Sequence, residues 1–279
     1  MHADPDVEAA DLTPLREHLL GSRIAGDVVT PREENLRNFS RMAEGRTNYD
    51  FGLVPSRPYT RDEVLEVMAR LCGVHPDPAY ERGPDTIDVE LCLAALADLR
   101  DRLALAARRR ERVLLATGHP TGILAIHLDV AGALRRAGCA VLVPEVPWSW
   151  PWDGDSDWAR GRPRHVRAVN GVHLLASGGE LLHTHLPEPM RAVLAALHTA
   201  GEAPPDLVFA DHGWAGAAAA AGLETLAFAD CNDPALFVAE AEGLPLRTVP
   251  LDDNVLPHLY DPLSAYLVSG WGDAGVRAG

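Results

Sequence analysis

Past residue 112 the sequence settles into one repeated pattern: a short apolar run, a polar cluster, then a stretch with apolar residues at helical spacing. The runs at 113–117, 139–143, 207–210, 225–229 and 246–251 are built mostly from Val, Leu, Ala, Phe and Thr and show no polar alternation. Unalternating apolar runs of this length are strands buried on both faces, and helices between them give the crossovers that parallel pairing requires. The pattern confines the fold to α/β, with a mainly parallel, three-layer, Rossmann-like sheet. Helices are expected at 123–137 and 188–200 and from Asp233 onward. Asn170-Gly171 marks a hairpin within 166–176.

The first 110 residues read differently. Thr30-Pro31-Arg32-Glu33 has the form of a capping box with Pro at the first helical position. Thr60 precedes Arg61-Asp62-Glu63 and an apolar stripe of Val64, Val67, Met68 and Leu71. Asp88 opens a long helix through Leu91, Leu96, Leu99 and Leu103, and Arg108-Arg109-Arg110 complements its C-terminus. The expected organisation is a helical N-terminal region (1–110), an α/β catalytic domain (111–270) and a flexible tail (271–279).

Composition narrows function by exclusion. All 25 basic residues are arginine; the chain has no lysine. A P-loop nucleotidase, a pyridoxal or Schiff-base enzyme, a protein kinase and the usual aspartyl-nucleophile phosphatase each need a lysine, so none is possible. The chemistry must run on His, Asp, Asn, Arg, backbone amides or a metal. A net charge of −15 argues against nucleic acid or an anionic membrane as partner. No apolar run reaches the ~20 residues of a membrane span, and the acidic start of the chain lacks a signal core. The four cysteines form no Cys-x-x-Cys pair and read as reduced, buried thiols of a cytoplasmic protein. Oligomeric state is not legible.

In open α/β sheets ligands bind beyond the carboxyl ends of the strands, and polar residues gather at such ends. Thr117-Gly118-His119-Pro120-Thr121-Gly122 follows the first run. Its glycines allow close backbone approach, and Thr117, Gly118, Thr121 and Gly122 are candidates to bind a phosphate or other anion at a helix start. Asp211-His212-Gly213-Trp214 follows the run at 207–210. Two ionisable groups at one strand end are costly unless paired, solvated or bound to metal. Asp230-Cys231-Asn232-Asp233-Pro234 follows the run at 225–229. Asp233 before proline reads as an N-cap, whereas Asp230 and Asn232 offer oxygens to a hard cation. His183-Thr184-His185 places two imidazoles on one face if extended. His127, His173 and His198 read as structural. Arg23 and Asn35 could reach the same cleft and hold a substrate. Trp148, Trp150, Trp152 and Trp158 form either a stacking lid or a docking patch.

Together these motifs resemble a family of actinobacterial proteins known simply as phosphatases. The resemblance rests on residues 116–122, His183-Thr184-His185, residues 210–216 and residues 229–235. It extends upstream to residues 23–28 and Asn35-Leu36, and downstream to Pro250-Leu251-Asp252-Asp253. More distantly, the layout is similar to the metal-dependent damage-control phosphatases, which set Asp and Asn at strand ends around a divalent ion. This sequence differs in having His119 near the expected Asp-Asn pair and Asp211-His212 in the region where a lysine is expected.

The resulting expectation is a metal-dependent phosphatase acting on a small phosphate ester, possible in secondary metabolism. A divalent ion (Mg, Mn, Co or Ni) would be held by Asp211, Asp230, His183, His185 and Asn232. Asp211, His212 and His119 would be catalytic, with His212 or His119 protonating the leaving group. Arg23, Asn35 and Trp214 would contact substrate. The alternatives are a sugar-phosphate isomerase or group transferase that binds a phosphorylated molecule without cleaving it, and a non-catalytic small-molecule binding protein.

Overall fold

The computed structural model describes residues 11–147, 149–151 and 163–271. Most of the Trp-rich segment, Trp148, Trp152 and Trp158 included, and residues 272–279 of the expected tail lie outside them.

The front of the chain is α1 (Thr13–Gly21), β1 (Gly26–Pro31), α2 (Arg32–Ala43), α3 (Arg61–Leu71), β2 (Pro84–Ile87) and α4 (Val89–Arg109). It is mostly helical, as expected, but β1 and β2 pair as a small antiparallel sheet that no sequence alternation announces. Thr60 and Glu63 close a reciprocal capping box at the start of α3. Asp88 caps α4 through the amides of Glu90 and Leu91. The box expected at Thr30 does not form. Pro31 is itself the N-cap of α2, without a side-chain cap, because the Thr30 hydroxyl donates instead to Asp230 Oδ2, 200 residues away.

The α/β part follows as β3 (Arg112–Ala116), α5 (Leu124–Arg136), β4 (Ala140–Val141), β5 (Ser149–Pro151), β6 (Pro163–Val169), β7 (Val172–Ser177), β8 (Glu180–Leu182), α6 (Glu188–Thr199), β9 (Leu207–Asp211), α7 (His212–Ala220), β10 (Thr225–Ala229), α8 (Pro234–Ala241), β11 (Leu246–Pro250) and α9 (Asp261–Leu267). Among the described residues these strands make one nine-stranded sheet in the order β11-β10-β9-β3-β7-β6-β5, with β4 beside β3 and β8 beside β7. From β11 to β7 the pairing is parallel; β5, β6 and β8 are antiparallel additions at one side. The β6–β7 hairpin turns at Asn170 and Gly171, both with positive φ, as the Asn-Gly signal requires. β9 and β10 are buried at every position, which is why their sequences carry no alternation.

One apolar core runs through both parts, from Leu19, Phe39 and Met68 to Leu114, Phe209 and Phe228. The four cysteines are free and buried. Trp271 is packed into the core and its indole N–H donates to the Leu267 carbonyl. Among the described residues no helix is long and apolar enough to cross a membrane.

The N-terminal part is locked by a buried ion pair. Arg32 Nη1 donates to Asp85 Oδ2 at 3.0 Å with both side chains fully buried. The rest of its guanidinium donates to the carbonyls of Tyr80 and Asp77. Asp85 also accepts from Asn35 Nδ2 and from the amides of His75 and Thr86. Asp85→Ala strands a buried guanidinium and is expected to lower unfolding free energy by about 3–5 kcal/mol in urea titration. Arg37→Ala, which breaks the exposed pair with Glu34, is expected to cost under about 1 kcal/mol.

Candidate active site

Five segments converge at the carboxyl ends of the parallel strands: residues 117–122 after β3, His183-Thr184-His185 after β8, Asp211 and His212 at the β9–α7 junction, residues 230–233 after β10, and Asp252 and Asp253 after β11. Glycines let them meet. A Cβ on Gly118 would lie 2.4 Å from the Thr184 carbonyl oxygen, and one on Gly122 would lie 2.1 Å from that of Asp253. Both glycines are points of close contact between segments. Several of the loop amides have internal partners: Gly118 N–H donates to Asp211 Oδ1 at 2.6 Å, His119 N–H to Thr117 Oγ1, and Gly122 and Ile123 N–H to the His119 carbonyl. Thr117, Gly118, Thr121 and Gly122, the expected anion-binding residues, lie in a turn that presents His119 to the centre of the site.

Asp211 and His212 sit where β9 becomes α7. Asp211 is the N-cap position but makes no side-chain cap. Its Oδ1 instead binds His212 Nδ1 at 2.7 Å, and its Oδ2 faces His127 Nε2 at 3.6 Å. His212 adopts φ +47, an uncommon conformation for a residue with a side chain, and this turns its ring back over Asp211. Burial works against charge on the imidazole. The bond to Asp211 and the carboxylates of Asp233 and Asp253 outweigh it and raise the His212 pKa to about 10. Burial likewise opposes charge on Asp211, yet His212 and the Thr117 hydroxyl hold it down at about 2.

His212 Nε2 points to the centre of the site, 3.5 Å from Asp233 Oδ2 and 3.6 Å from Asp253 Oδ2. The other oxygen of Asp253 lies 3.2 Å from His119 Nδ1. His119 stacks on His183 with centroids 4.5 Å apart. His183 Nε2 and His185 Nε2 are 3.1 Å apart, and His185 Nδ1 donates to the Asn48 carbonyl. Burial and the charge of His212 push the pKa of His183 down to about 3 and that of His185 to about 4. His119 behaves oppositely: burial disfavours its charge, but Asp253 raises it above the ordinary histidine value. Burial and Asp253 raise Asp233 to about 7, against the pull of His212.

Donor atoms of His185, His212 and Asp233 all lie within 4.8 Å of one another, as do those of His119, His183 and His212. The second ring nitrogen is engaged by Asp211 in His212, by the Asn48 carbonyl in His185 and by Asp253 in His119. That outer contact is what orients a metal-ligating imidazole. Asp253 Oδ2 is buried without a hydrogen-bond partner. The donor set suits a divalent ion.

The expected residues divide. His183, His185, His212 and His119 come together. Asp211 stands behind His212, with its oxygens turned to Gly118, His212 and His127. Asp230 is held in its own turn by the Cys231 amide and the Thr30 hydroxyl. Asn232 gives its carbonyl to Asn38. Arg23 donates to the carbonyls of Asp27 and Val28, Asn35 is buried against Asp85, and Trp214 is buried in the core with no exposure. Of these three, Arg23 is exposed. Asp233 makes no side-chain cap and faces His212 instead. Asp253 follows an apolar run just as Asp230 does, which was the available signal for it.

This is a histidine–carboxylate centre at the carboxyl ends of the strands of an α/β sheet. The family model described as Phosphatase matches residues 10–274, and the chain belongs to that family. It is 46% identical over 265 residues to Phosphatase SCO2771 of Streptomyces coelicolor, covering 94% of this chain and 96% of that protein. No solved structure matches.

The two aspartates of the expected shared site have opposite electrostatics. A pKa lowered to about 2 means that Asp211 stabilises the fold above about pH 4, on the order of 2 kcal/mol. The raised His212 makes its share full below about pH 6.5 and lost as pH climbs through about 10. Asp230, raised by burial and by Asp253, Asp252 and Asp233, loses stability as pH rises. In chelator at pH 6, Asp211→Asn is expected to melt several degrees below wild type, with the gap narrowing toward pH 10. Asp230→Asn is expected to melt at or above wild type. Thermal denaturation across pH checks both, and an Asp211→Asn variant as stable as its parent would contradict the paired reading.

Proposed function

We propose that the protein is a metal-dependent phosphatase that hydrolyses a small phosphate ester, with the ion held by His183, His185, His212 and Asp233. The observation that carries this is the 3.1 Å between His183 Nε2 and His185 Nε2. Two nitrogens bound to one ion at about 2.0–2.1 Å stand about 3 Å apart, and both imidazoles are held neutral, as ligands must be. An imidazole-rich set favours Mn, Co or Ni over Mg, and admits zinc. At neutral pH, displacing the His212 proton from a group titrating near 10 costs about 4 kcal/mol, well below the roughly 10–16 kcal/mol of tight zinc binding.

Such an ion supplies polarisation of the phosphoryl group and activation of a water. The chain supplies the rest. Asp211 fixes the tautomer of His212 by accepting from Nδ1, leaving Nε2 free to bind. The Asn48 carbonyl does the same for His185. Asp253 raises the proton affinity of His119 beside the ligand set, which suits His119 to donate a proton to the departing alkoxide.

The test is phosphate release from a panel of phosphate esters after chelation and readdition of Mg, Mn, Co, Ni or Zn. Activity is expected to return with a transition ion. His183→Ala, His185→Ala and His212→Ala are expected to lose bound metal and roughly 100-fold or more in kcat/KM, beyond the effect of losing an outer-shell partner. His119→Gln is expected to keep its metal and lose roughly 100-fold or more in kcat. His198→Ala is expected to change neither. A protein that binds metal but releases no phosphate would return the isomerase or transferase reading.

A further inference from the structure

Phe51 belongs to the loop between α2 and α3, a part of the chain without any motif. Its ring is 1% exposed and touches two of the proposed ligands. The centroid lies 5.2 Å from that of His185, edge to face, and 5.5 Å from that of His212. Its backbone is left-handed, with φ +53, which a bulky residue adopts only when its surroundings impose it. The surroundings do so. Gly52 N–H donates to Asp50 Oδ1 and Leu53 N–H to the Asp50 carbonyl, closing a tight turn. A Cβ on Gly216 would lie 2.2 Å from the Phe51 carbonyl oxygen, so α7 is notched to receive this residue. Three residues earlier the same loop supplies the Asn48 carbonyl that binds His185 Nδ1.

We propose that Phe51 is a positioning residue. It fixes the ring planes of His185 and His212 and walls the centre with apolar surface, so that the loop 48–51 of the N-terminal part completes a ligand set otherwise carried by the sheet. Asn48 sets the tautomer of His185, and Phe51 sets the orientation of both rings. A packed aromatic edge restricts imidazole rotation, and a dry wall strengthens the electrostatics of whatever is bound. The inference rests on the metal reading given above and goes beyond it by assigning the geometry of the centre to the front of the chain.

The test is metal binding rather than turnover. Zinc affinity is measured by competition with a chromophoric chelator, and the visible spectrum of the cobalt-loaded protein reports ligand geometry. The variants are Phe51→Leu, which keeps apolar bulk but removes the ring, and Gly216→Ala, which displaces the loop without touching a ligand. Phe39→Leu, equally buried in the same part of the chain, controls for general loosening of the core. The expected result is a tenfold or greater loss of zinc affinity and an altered cobalt spectrum in Phe51→Leu and Gly216→Ala, with Phe39→Leu like wild type. Wild-type affinity and spectrum in a folded Phe51→Leu, or equal losses in Phe39→Leu, overturn the proposal while leaving the metal reading intact. A wild-type protein that binds no transition ion removes both.

Discussion

The buried contact between Asp211 and His212 is the interaction on which the site depends. Two adjacent ionisable residues lie beneath the surface at the end of a central strand, where an unpaired charge costs several kcal/mol. The structure meets that cost with a 2.7 Å bond between them and with the Gly118 amide. The left-handed His212 is part of the same arrangement: an ordinary helical start would carry the ring away from Asp211. A strained backbone of this kind costs on the order of 1–3 kcal/mol and persists where its surroundings over-determine it. Nε2 of His212 is thereby aimed at Asp233 and Asp253, and the other histidines gather around that atom.

Close approach of backbones is the second constraint. Gly118 admits Thr184, Gly122 admits Asp253, and Gly213, where a Cβ would lie 2.2 Å from the His185 carbonyl oxygen, admits the segment carrying two histidines. A glycine in a strand-end motif is easily read as a phosphate grip, because such loops do bind anions when their amides are free. Here the amides of Gly118, His119 and Gly122 have partners inside the protein, and Gly118 and Gly122 also act as contact points between segments.

The fold was largely legible because unalternating apolar runs and helical spacing are local signals. The expected strands from 113 to 251 appear within about three residues of their bounds, with β4 shorter than its run, and the capping box at Thr60 and the hairpin at Asn170-Gly171 stand where the sequence places them. What sequence could not show is where a polar side chain spends its bonds. Thr30 has the pattern of a helix cap, yet its hydroxyl serves Asp230. Asp233 has the pattern of a cap, yet it faces His212. Asp211 has the pattern of a ligand, yet its Oδ1 is bonded to His212 Nδ1. In each case the deciding partner is far away in the chain or depends on a single backbone angle. The four histidines at the centre were legible because a pair at alternate positions and lone histidines at strand ends have few structural uses. Phe51 was not, since an aromatic in a loop has many.

The central claim is that one ion is held mainly by imidazoles. X-ray absorption at the zinc edge of the protein loaded with one equivalent of zinc tests it most directly. The account predicts a shell of nitrogen and oxygen neighbours at about 2.0–2.1 Å with the multiple scattering of about three imidazoles. A shell of oxygen alone would contradict it, and would move the ion to the carboxylates of Asp230, Asp252 and Asp253.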